Sequence, residues 1–371
     1  MGILRLILAL SIVAVHSSPI LGFALVGGQV AVQAFYIISG FYMSLILNEK
    51  YIGQGSYKLF ITNRFLRLFP VFWVVLSLVI IFALFQMVVT HGTSTGGLQA
   101  YVDYISHGGQ VNIFSFFVLI GTNLLLFGQD VMMFLGINPA TGHFFFTQNF
   151  QITEPKVLGF LLVPQAWTIG VELLFYVVAP FLVRRKIWIV ICVILASLGL
   201  RAYLYNHSLN YDPWTYRFFP LELAFFLFGN IAYRIYEKIK DKNIKRKWLW
   251  SAFGLISVAT LIYQWVNIPE KNVTYFTLLV LLIPFIFLLT RKSEIDKKIG
   301  ELSYPIYISH LFVLSVILFF PWYHVSINYR GIVLAISSII FAILLNKYIA
   351  APIERFRQAR TQKQLLLDYL K

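Results

Sequence analysis

Charged residues are scarce in this sequence of 371 residues, at 12% of the chain, whereas a soluble domain carries about 25%. Hydrophobic residues make up 59%. This composition excludes an ordinary soluble domain, because long apolar segments with few charges are typical of membrane-spanning helices. It predicts an all-α, multi-pass membrane protein, with membrane lipid as an obligatory partner.

Cysteine is almost absent, since Cys192 is the only one in the sequence. A single cysteine excludes an intrachain disulfide and a metal site built from several cysteines. Cys192 lies in an apolar run, so we expect it to pack in the core. The histidines and acidic residues also lack the helical i, i+4 spacing that is typical of zinc sites. We therefore expect no bound metal.

Acidic residues are outnumbered two to one, with 15 Asp and Glu against 30 Lys and Arg, which gives a net charge of +15. In a soluble protein this excess would suggest binding to nucleic acid. Here the basic residues cluster in short segments between apolar runs, so the positive-inside rule explains them better, and no nucleic acid is expected. The predicted cytoplasmic segments are 48–67, 184–186, 234–247, 291–298 and the C-terminal tail.

Eleven apolar runs approach the length of a membrane span. They lie near residues 3–22, 30–47, 68–90, 111–128, 165–183, 187–205, 217–236, 248–266, 273–290, 303–320 and 329–350. Segments 48–67 and 184–186 can share one side only if an even number of spans separates them, yet three runs lie between. We discount 111–128, which is interrupted by glycine and lies in region 91–164, where Lys156 is the only Lys or Arg.

The resulting prediction has about ten transmembrane helices, with both termini in the cytoplasm and region 91–164 forming most of the outer face. Residues 1–355 would form one membrane domain. Residues 356–371 would form a basic cytoplasmic tail that ends in an amphipathic segment on the membrane surface.

Arg5 and His16 begin and end the first apolar run, eleven positions apart. On a helix they would be roughly 16 Å apart, about half the thickness of the bilayer core. Arg5 would then lie at a membrane face, and His16 deep in the membrane, either as a general base or as a packing residue. Arg64 and Arg67 start the third run and, with Arg5, could bind a ligand with several phosphates or only lipid phosphate.

Three further ionisable residues lie inside apolar runs: Glu172, Glu222 and His310. Each could belong to a site or to an ion pair between helices. Glu172 is the stronger candidate, as a partner that orients or charges His16. Small residues allow close packing of helices in lipid, so we expect the first two helices to pack as a hairpin, with Ser39 and Gly40 near the level of His16.

Aromatic side chains near the predicted outer face could stack on sugar rings. They are Trp214, Tyr216, Trp322 and Tyr323.

Several motifs resemble those of one family. Arg5 and His16 reproduce its arginine-ten-histidine pattern. Other landmarks follow in the same order: FYIISGFYMS at 35–44, NRFLRLFP at 63–70, WTIGVELLFYVVAP at 167–180, FFLFGN at 225–230, LSYPIYISH at 302–310 and APIER at 351–355. Through these motifs the chain resembles the membrane acyltransferase 3 family, in its stand-alone form without an appended esterase-like domain. Members of this family include bacterial O-acetyltransferases of surface polysaccharides.

The resemblance implies an acyltransferase of the cell (inner or plasma) membrane that moves an acyl group, usually acetyl, from cytoplasmic acyl-CoA to a hydroxyl of a lipid-linked or cell-surface glycan. His16 would be the catalytic histidine, with Glu172 beside it. The other implied site residues bind donor (Arg5, Arg64, Arg67, Ser39 and Gly40) or acceptor (Trp167, Tyr304 and His310).

Two other functions fit the same residues. A transporter or exporter of a glycan or lipid would also bury Arg, Glu and His, although the sequence shows no internal repeat of the kind that many transporters have. A non-catalytic membrane scaffold would require His16 only for packing.

Overall fold

The structure, a computed structural model, describes residues 1–320 and 327–369. Nearly all regular structure in them is helical, which confirms the all-α prediction. The α-helices are α1 (Gly2–Val15), α2 (Gly28–Glu49), α3 (Ser56–Val89), α4 (Gly97–Ser106), α5 (Ile113–Leu125), α6 (Trp167–Leu182), α7 (Ile187–Asn206), α8 (Phe219–Ile239), α9 (Arg246–Ile262), α10 (Lys271–Thr290), α11 (Glu294–Glu301), α12 (Ser303–Phe319), α13 (Ile327–Leu345) and α14 (Ala351–Tyr369). Trp322 and Tyr323 lie outside the described residues.

Seven helical stretches in the described residues are long and apolar enough to cross a membrane, where the sequence predicted ten spans. They are Gly28–Glu49, Ser56–Val89, Pro164–Leu182, Ile187–Asn206, Lys271–Thr290, Glu294–Phe319 and Tyr329–Lys363. Helices α1 and α9 have 14 and 17 residues, fewer than the roughly 20 that a bilayer needs. Helix α5, with 13 residues, stands in the discounted run 111–128 and is also too short to cross.

Helices α2 and α8 cross in direct backbone contact. A Cβ atom at Gly40 would lie 1.8 Å from the carbonyl oxygen of Phe226, and one at Gly229 would lie 2.1 Å from that of Ile37. Beside this crossing, the Asn230 side chain donates to the Ser44 hydroxyl at 2.8 Å. The close backbone approach at Gly40 is therefore made with α8.

Helices α1 and α2 pack antiparallel, with Val15 beside Gly28 at their joined ends. Ser39 is eleven residues along α2 from Gly28, which places it roughly 16 Å from the level of Val15. Ser39 therefore lies near the level of Arg5, and the prediction that it lies near the level of His16 is wrong.

Glu222 has a structural role between α2, α7 and α8. Its carboxylate pairs with Arg201 at 2.7 Å and accepts two bonds from the Gln33 side chain at 3.2 Å. Glu222 is fully buried, so these partners are what allow a carboxylate at this position. Cys192 is exposed on α7, contrary to the expectation of core packing.

Residues 97–166 form a separate layer against one end of the helices. It contains α4, α5 and the antiparallel strands β1 (Leu135–Ile137) and β2 (Phe144–Phe146). Its own apolar core includes Leu119, Met133 and Phe160. Asn123 links two parts of the layer, because its side chain donates to the carbonyl of Phe160 at 3.0 Å.

Asp130 connects this layer to α6. It is 3% exposed, and its Oδ1 atom has no hydrogen-bond partner in the described residues. That atom lies 3.0 Å from where a Cβ at Gly170 would be. Burial raises the pKa of Asp130 to about 6, although the backbone N–H groups of Asp130 and Val131 oppose the shift.

Gly40→Ala should lower the stability of the folded protein by at least the ~1–3 kcal/mol typical of overpacking, because the new methyl group meets backbone. The matched control is Gly199→Ala on α7, where nothing lies within 4 Å of the added atom. The thermal midpoint of the detergent-solubilised protein measures both. Equal midpoints for the two variants would contradict the α2–α8 crossing.

Asp130→Asn should raise the thermal midpoint at pH 7.5 and have little effect at pH 4. A carboxyl with a raised pKa binds more protons in the folded state, so stability falls as pH rises from about 4 to about 6, and the penalty is complete above that range. Asp103→Asn, on an exposed part of α4, controls for the lost negative charge. A stabilisation that is the same at both pH values would contradict this explanation.

Candidate functional site

A cavity of about 790 Å³ lies between α1, α2, α3, α6, α12 and α14. Its lining is rich in charge for a protein with so few charged residues. Seven basic and four acidic side chains line it: Arg5, Lys50, Arg64, Arg67, Arg291, Lys297 and Arg357, with Glu172, Asp296, Glu301 and Glu354.

The structure brings Arg5, Arg64 and Arg67 to this one cavity, as the sequence analysis expected. Arg64 is 5% exposed, its Nε atom has no acceptor, and its guanidinium lies 5.8 Å from the ring centre of Phe60. None of these three arginines has a carboxylate within ion-pair distance in the described part of the chain. Unpaired guanidinium groups around a cavity can bind an anion with several oxygen atoms.

Helix α11 fixes the position of Arg5. The carboxylate of Asp296 accepts the backbone N–H of Gly2 at 2.7 Å and that of Ile3 at 3.0 Å. A carboxylate at this end of a helix is favourable, because the first backbone N–H groups have no partner within the helix. The first turn of α1 also touches Gly300, where an added Cβ would lie 3.6 Å from Nη1 of Arg5.

Glu172 faces the cavity from α6 and accepts two short hydrogen bonds. The hydroxyl of Ser39 and that of Tyr176 each donate to its Oε1 atom at 2.5 Å. Tyr304 also lines the cavity, and its hydroxyl donates to the carbonyl of Leu68 at 2.7 Å, which joins α12 to α3. The Glu172 carboxylate thus bonds Ser39 and Tyr176, and the expectation that it orients His16 is wrong.

His16 and His310 form a direct pair beyond one end of the cavity. Nδ1 of His16 lies 3.2 Å from Nε2 of His310, and the two ring centres are 4.9 Å apart. His310 follows by one helical turn after Tyr307, which lines the cavity. His16 caps the C-terminal end of α1 and is exposed at the surface of the protein, and its depth in the membrane stays a prediction.

The hydrogen bonds of the pair determine its tautomers. Nδ1 of His310 faces the carbonyl of Tyr307 at 2.7 Å, and Nδ1 of His16 faces the carbonyl of Ile12 at 2.8 Å. A carbonyl can only accept, so each neutral ring carries its proton on Nδ1. Nε2 of His310 is then an acceptor for Nδ1–H of His16. Nε2 of His16 keeps a free lone pair, which is what a general base or a nucleophile requires.

A family model described as an acyltransferase domain, of the acyltransferase 3 type, matches residues 1–347. The chain belongs to the acyltransferase 3 family. No curated protein and no solved structure matches it. The family and the membrane-length helices together identify a membrane acyltransferase. The matched region contains both histidines of the pair and Arg5, Arg64 and Arg67, whereas α14 follows it.

Two expected site residues of this acyltransferase lie away from the cavity. Gly40 lies at the close backbone contact between α2 and α8. Trp167 is 6% exposed and packs against Arg217, whose guanidinium carbon lies 4.3 Å from the centre of the indole ring system. Arg217 in turn makes two bonds to the carboxylate of Asp212, at 2.5 and 2.9 Å. Trp167 therefore belongs to a packed aromatic and ionic cluster.

The aromatic candidates near the layer of residues 97–166 also have partners in the acyltransferase. The indole N–H of Trp214 donates to the carbonyl of Gln148 at 2.9 Å. Tyr216 packs edge-on against Trp167, with ring centres 5.1 Å apart. These contacts join the layer of residues 97–166 to the helices.

The sequence analysis missed two sets of cavity residues. Thr168 and Tyr307 close the end nearest the histidine pair through a hydroxyl–hydroxyl bond of 2.6 Å. Both residues lie within motifs that resemble those of the family, so the sequence contained a signal that could have identified them. Arg357 lines the other part of the cavity, and in the sequence it stood only among the basic residues of the tail.

Proposed function

We propose that this membrane acyltransferase transfers an acyl group, most often acetyl, from acyl-CoA to a hydroxyl of a lipid-linked or cell-surface glycan. The observation that carries the proposal is one cavity with three arginines that have no ion-pair partner among the described residues, which reaches to within one helical turn of His310, the hydrogen-bonded partner of His16. The arginines could thus bind phosphate in the cavity, while the histidine pair beyond its other end could take up a proton.

Acyl-CoA fits the cavity chemically. Its diphosphate matches the bidentate guanidinium groups of Arg5, Arg64 and Arg67. The cavity volume of about 790 Å³ lies in the range of ordinary ligand sites, about 300–1,000 Å³. Arg5 and His16 are roughly 16 Å apart along α1, so the phosphates would bind at the arginines while the extended pantetheine arm carries the thioester towards the histidine pair.

The acceptor would approach His16 from the opposite end. His16 is exposed, and the loop that follows it contacts the far ends of other helices: Gln264, after α9, accepts from Ala24 and donates to Gly22, and Ser18 accepts from Gly331 of α13. By the positive-inside rule the arginine end would face the cytoplasm. A glycan acceptor follows from the family resemblance and agrees with access from the other side of the plasma (inner) membrane.

Two routes use the same atoms. In the direct route, Nε2 of His16 takes the proton of the acceptor hydroxyl, the oxygen attacks the thioester carbon, and the C–S bond breaks to release CoA thiolate, which the histidinium proton neutralises. In the covalent route, Nε2 attacks the thioester carbon, the C–S bond breaks and CoA thiolate leaves; the acceptor oxygen then attacks the acyl carbon, the C–N bond to the ring breaks, and the hydroxyl proton goes to the thiolate. Both need the tautomer that His310 supports.

His16→Ala should abolish transfer of radiolabelled acetyl from acetyl-CoA to glycan in membranes and still bind acetyl-CoA. Arg67→Gln should do the reverse, weakening donor binding by roughly tenfold or more because it removes a charge-assisted contact. Binding is measured by calorimetry on purified protein, and transfer by the label in the glycan. Near-normal transfer by His16→Ala would refute the mechanism.

His310→Phe should lower kcat by roughly ten- to a hundredfold and leave the KM for acetyl-CoA nearly unchanged, because an imidazole that is poorly oriented still lies beside bound donor. His310→Gln keeps an acceptor for Nδ1–H of His16 and should recover part of the rate. Ser309→Ala is the matched control, since that hydroxyl donates to the carbonyl of Pro305 on the same helix. A change confined to KM would show that His310 contacts substrate instead.

A further inference from the structure

The C-terminal helix α14 forms one wall of the arginine cavity, although it follows the region matched to the family. Five of its side chains line the cavity beyond the first turn: Glu354, Arg357, Gln358, Thr361 and Gln362. Arg357 is 5% exposed. Its Nη1 atom bonds Glu354 one turn earlier, while its Nε atom has no acceptor among the described residues.

Polar contacts fix α14 against the start of α3. The side chain of Asn63, which is fully buried, donates to the hydroxyl of Thr361 at 3.0 Å and to that of Tyr51 at 3.1 Å. Arg360 donates to Thr62 at 3.2 Å. Asn63 directly precedes Arg64, so the contacts that hold α14 also set the position of Arg357 beside the arginines of α3.

Arg357 is held among like charges. It lines the same cavity as Arg64 and Arg67, and Glu354 is bonded to it. Buried cations of one sign repel each other strongly when little water separates them. An arginine with a free buried donor in such a group is an anion site, because a bound phosphate would satisfy the donor and balance the charge.

One of the three phosphate groups of CoA matches the position of Arg357. Its diphosphate is joined to the pantetheine arm and must lie beside the path to the histidine pair, which α1, α2 and α12 border. Its third phosphate, on the 3′ oxygen of the ribose, lies on the other side of the diphosphate from that arm. Helix α14 supplies a separate wall at the arginine end, with amide and hydroxyl side chains around Arg357.

We propose that Arg357 binds the 3′-phosphate of CoA, so that α14 makes the enzyme selective for CoA over donors that lack this phosphate. The inference rests on the proposed function, because it assumes an acyl-CoA donor. It assigns a specificity role to a helix that is outside the matched region.

The test compares acetyl-CoA with acetyl-3′-dephospho-CoA in calorimetric binding to the purified full chain. Wild type should bind acetyl-CoA roughly tenfold or more tightly than the dephospho donor, since one charge-assisted contact is lost. Arg357→Gln should weaken acetyl-CoA binding to the level of the dephospho donor and leave the latter unchanged. Arg357→Lys keeps the positive charge and should restore part of the preference for acetyl-CoA. Partial recovery would show that the loss in Arg357→Gln does not arise from misfolding.

The control is Arg355→Gln, an exposed position on the same helix, which should alter neither affinity. Equal binding of both donors by wild type would overturn this inference alone, as would an equal loss of both in Arg357→Gln with an unchanged thermal midpoint. Failure of wild type to bind either donor would overturn the proposed function, and this inference with it.

Discussion

Positive charge without a protein counterion is the constraint on which the candidate site depends. Arg5, Arg64 and Arg67 come from two helices and share one cavity in a chain that is mostly apolar. Separating such groups from water is unfavourable unless an anion is supplied. Folding alone gives them no carboxylate partner in the described residues, so the arrangement is best explained by a phosphate-bearing ligand, which would stabilise this part of the protein when it binds.

The helices around the cavity are held by interactions that leave those arginines free. Asp296 caps α1, Glu172 is occupied by Ser39 and Tyr176, and Glu222 is paired with Arg201. Asp296 and Glu172 thus line the cavity together with the arginines, but their hydrogen bonds serve the packing of the helices.

The histidine pair lies at the opposite end of this arrangement from the arginines. Two backbone carbonyls, those of Tyr307 and Ile12, select the tautomers and leave one lone pair at the exposed end. The phosphates and the reacting hydroxyl would then enter from opposite ends and meet near His16. Such an arrangement suits an enzyme whose donor and acceptor lie on different sides of a membrane, and it requires no large movement of either substrate through the protein.

Much of this site could be predicted from the sequence. Apolar runs determined the helical class, the spacing of Arg64 and Arg67 put both on one helix, and ordered motifs identified the family before any contact was known. These features are local, and they depend only on residues a few positions apart.

The tertiary structure alone decided which distant residues meet. Ser39 and Glu172 are 133 positions apart, and His16 and His310 are 294 apart. The sequence assigned the wrong partner to Glu172 and the wrong level to Ser39, and it gave no role to Arg357. Such contacts depend on where helices cross and at what level. The hydrophobic pattern shows which residues are apolar, but it does not specify the neighbour against which each helix face packs.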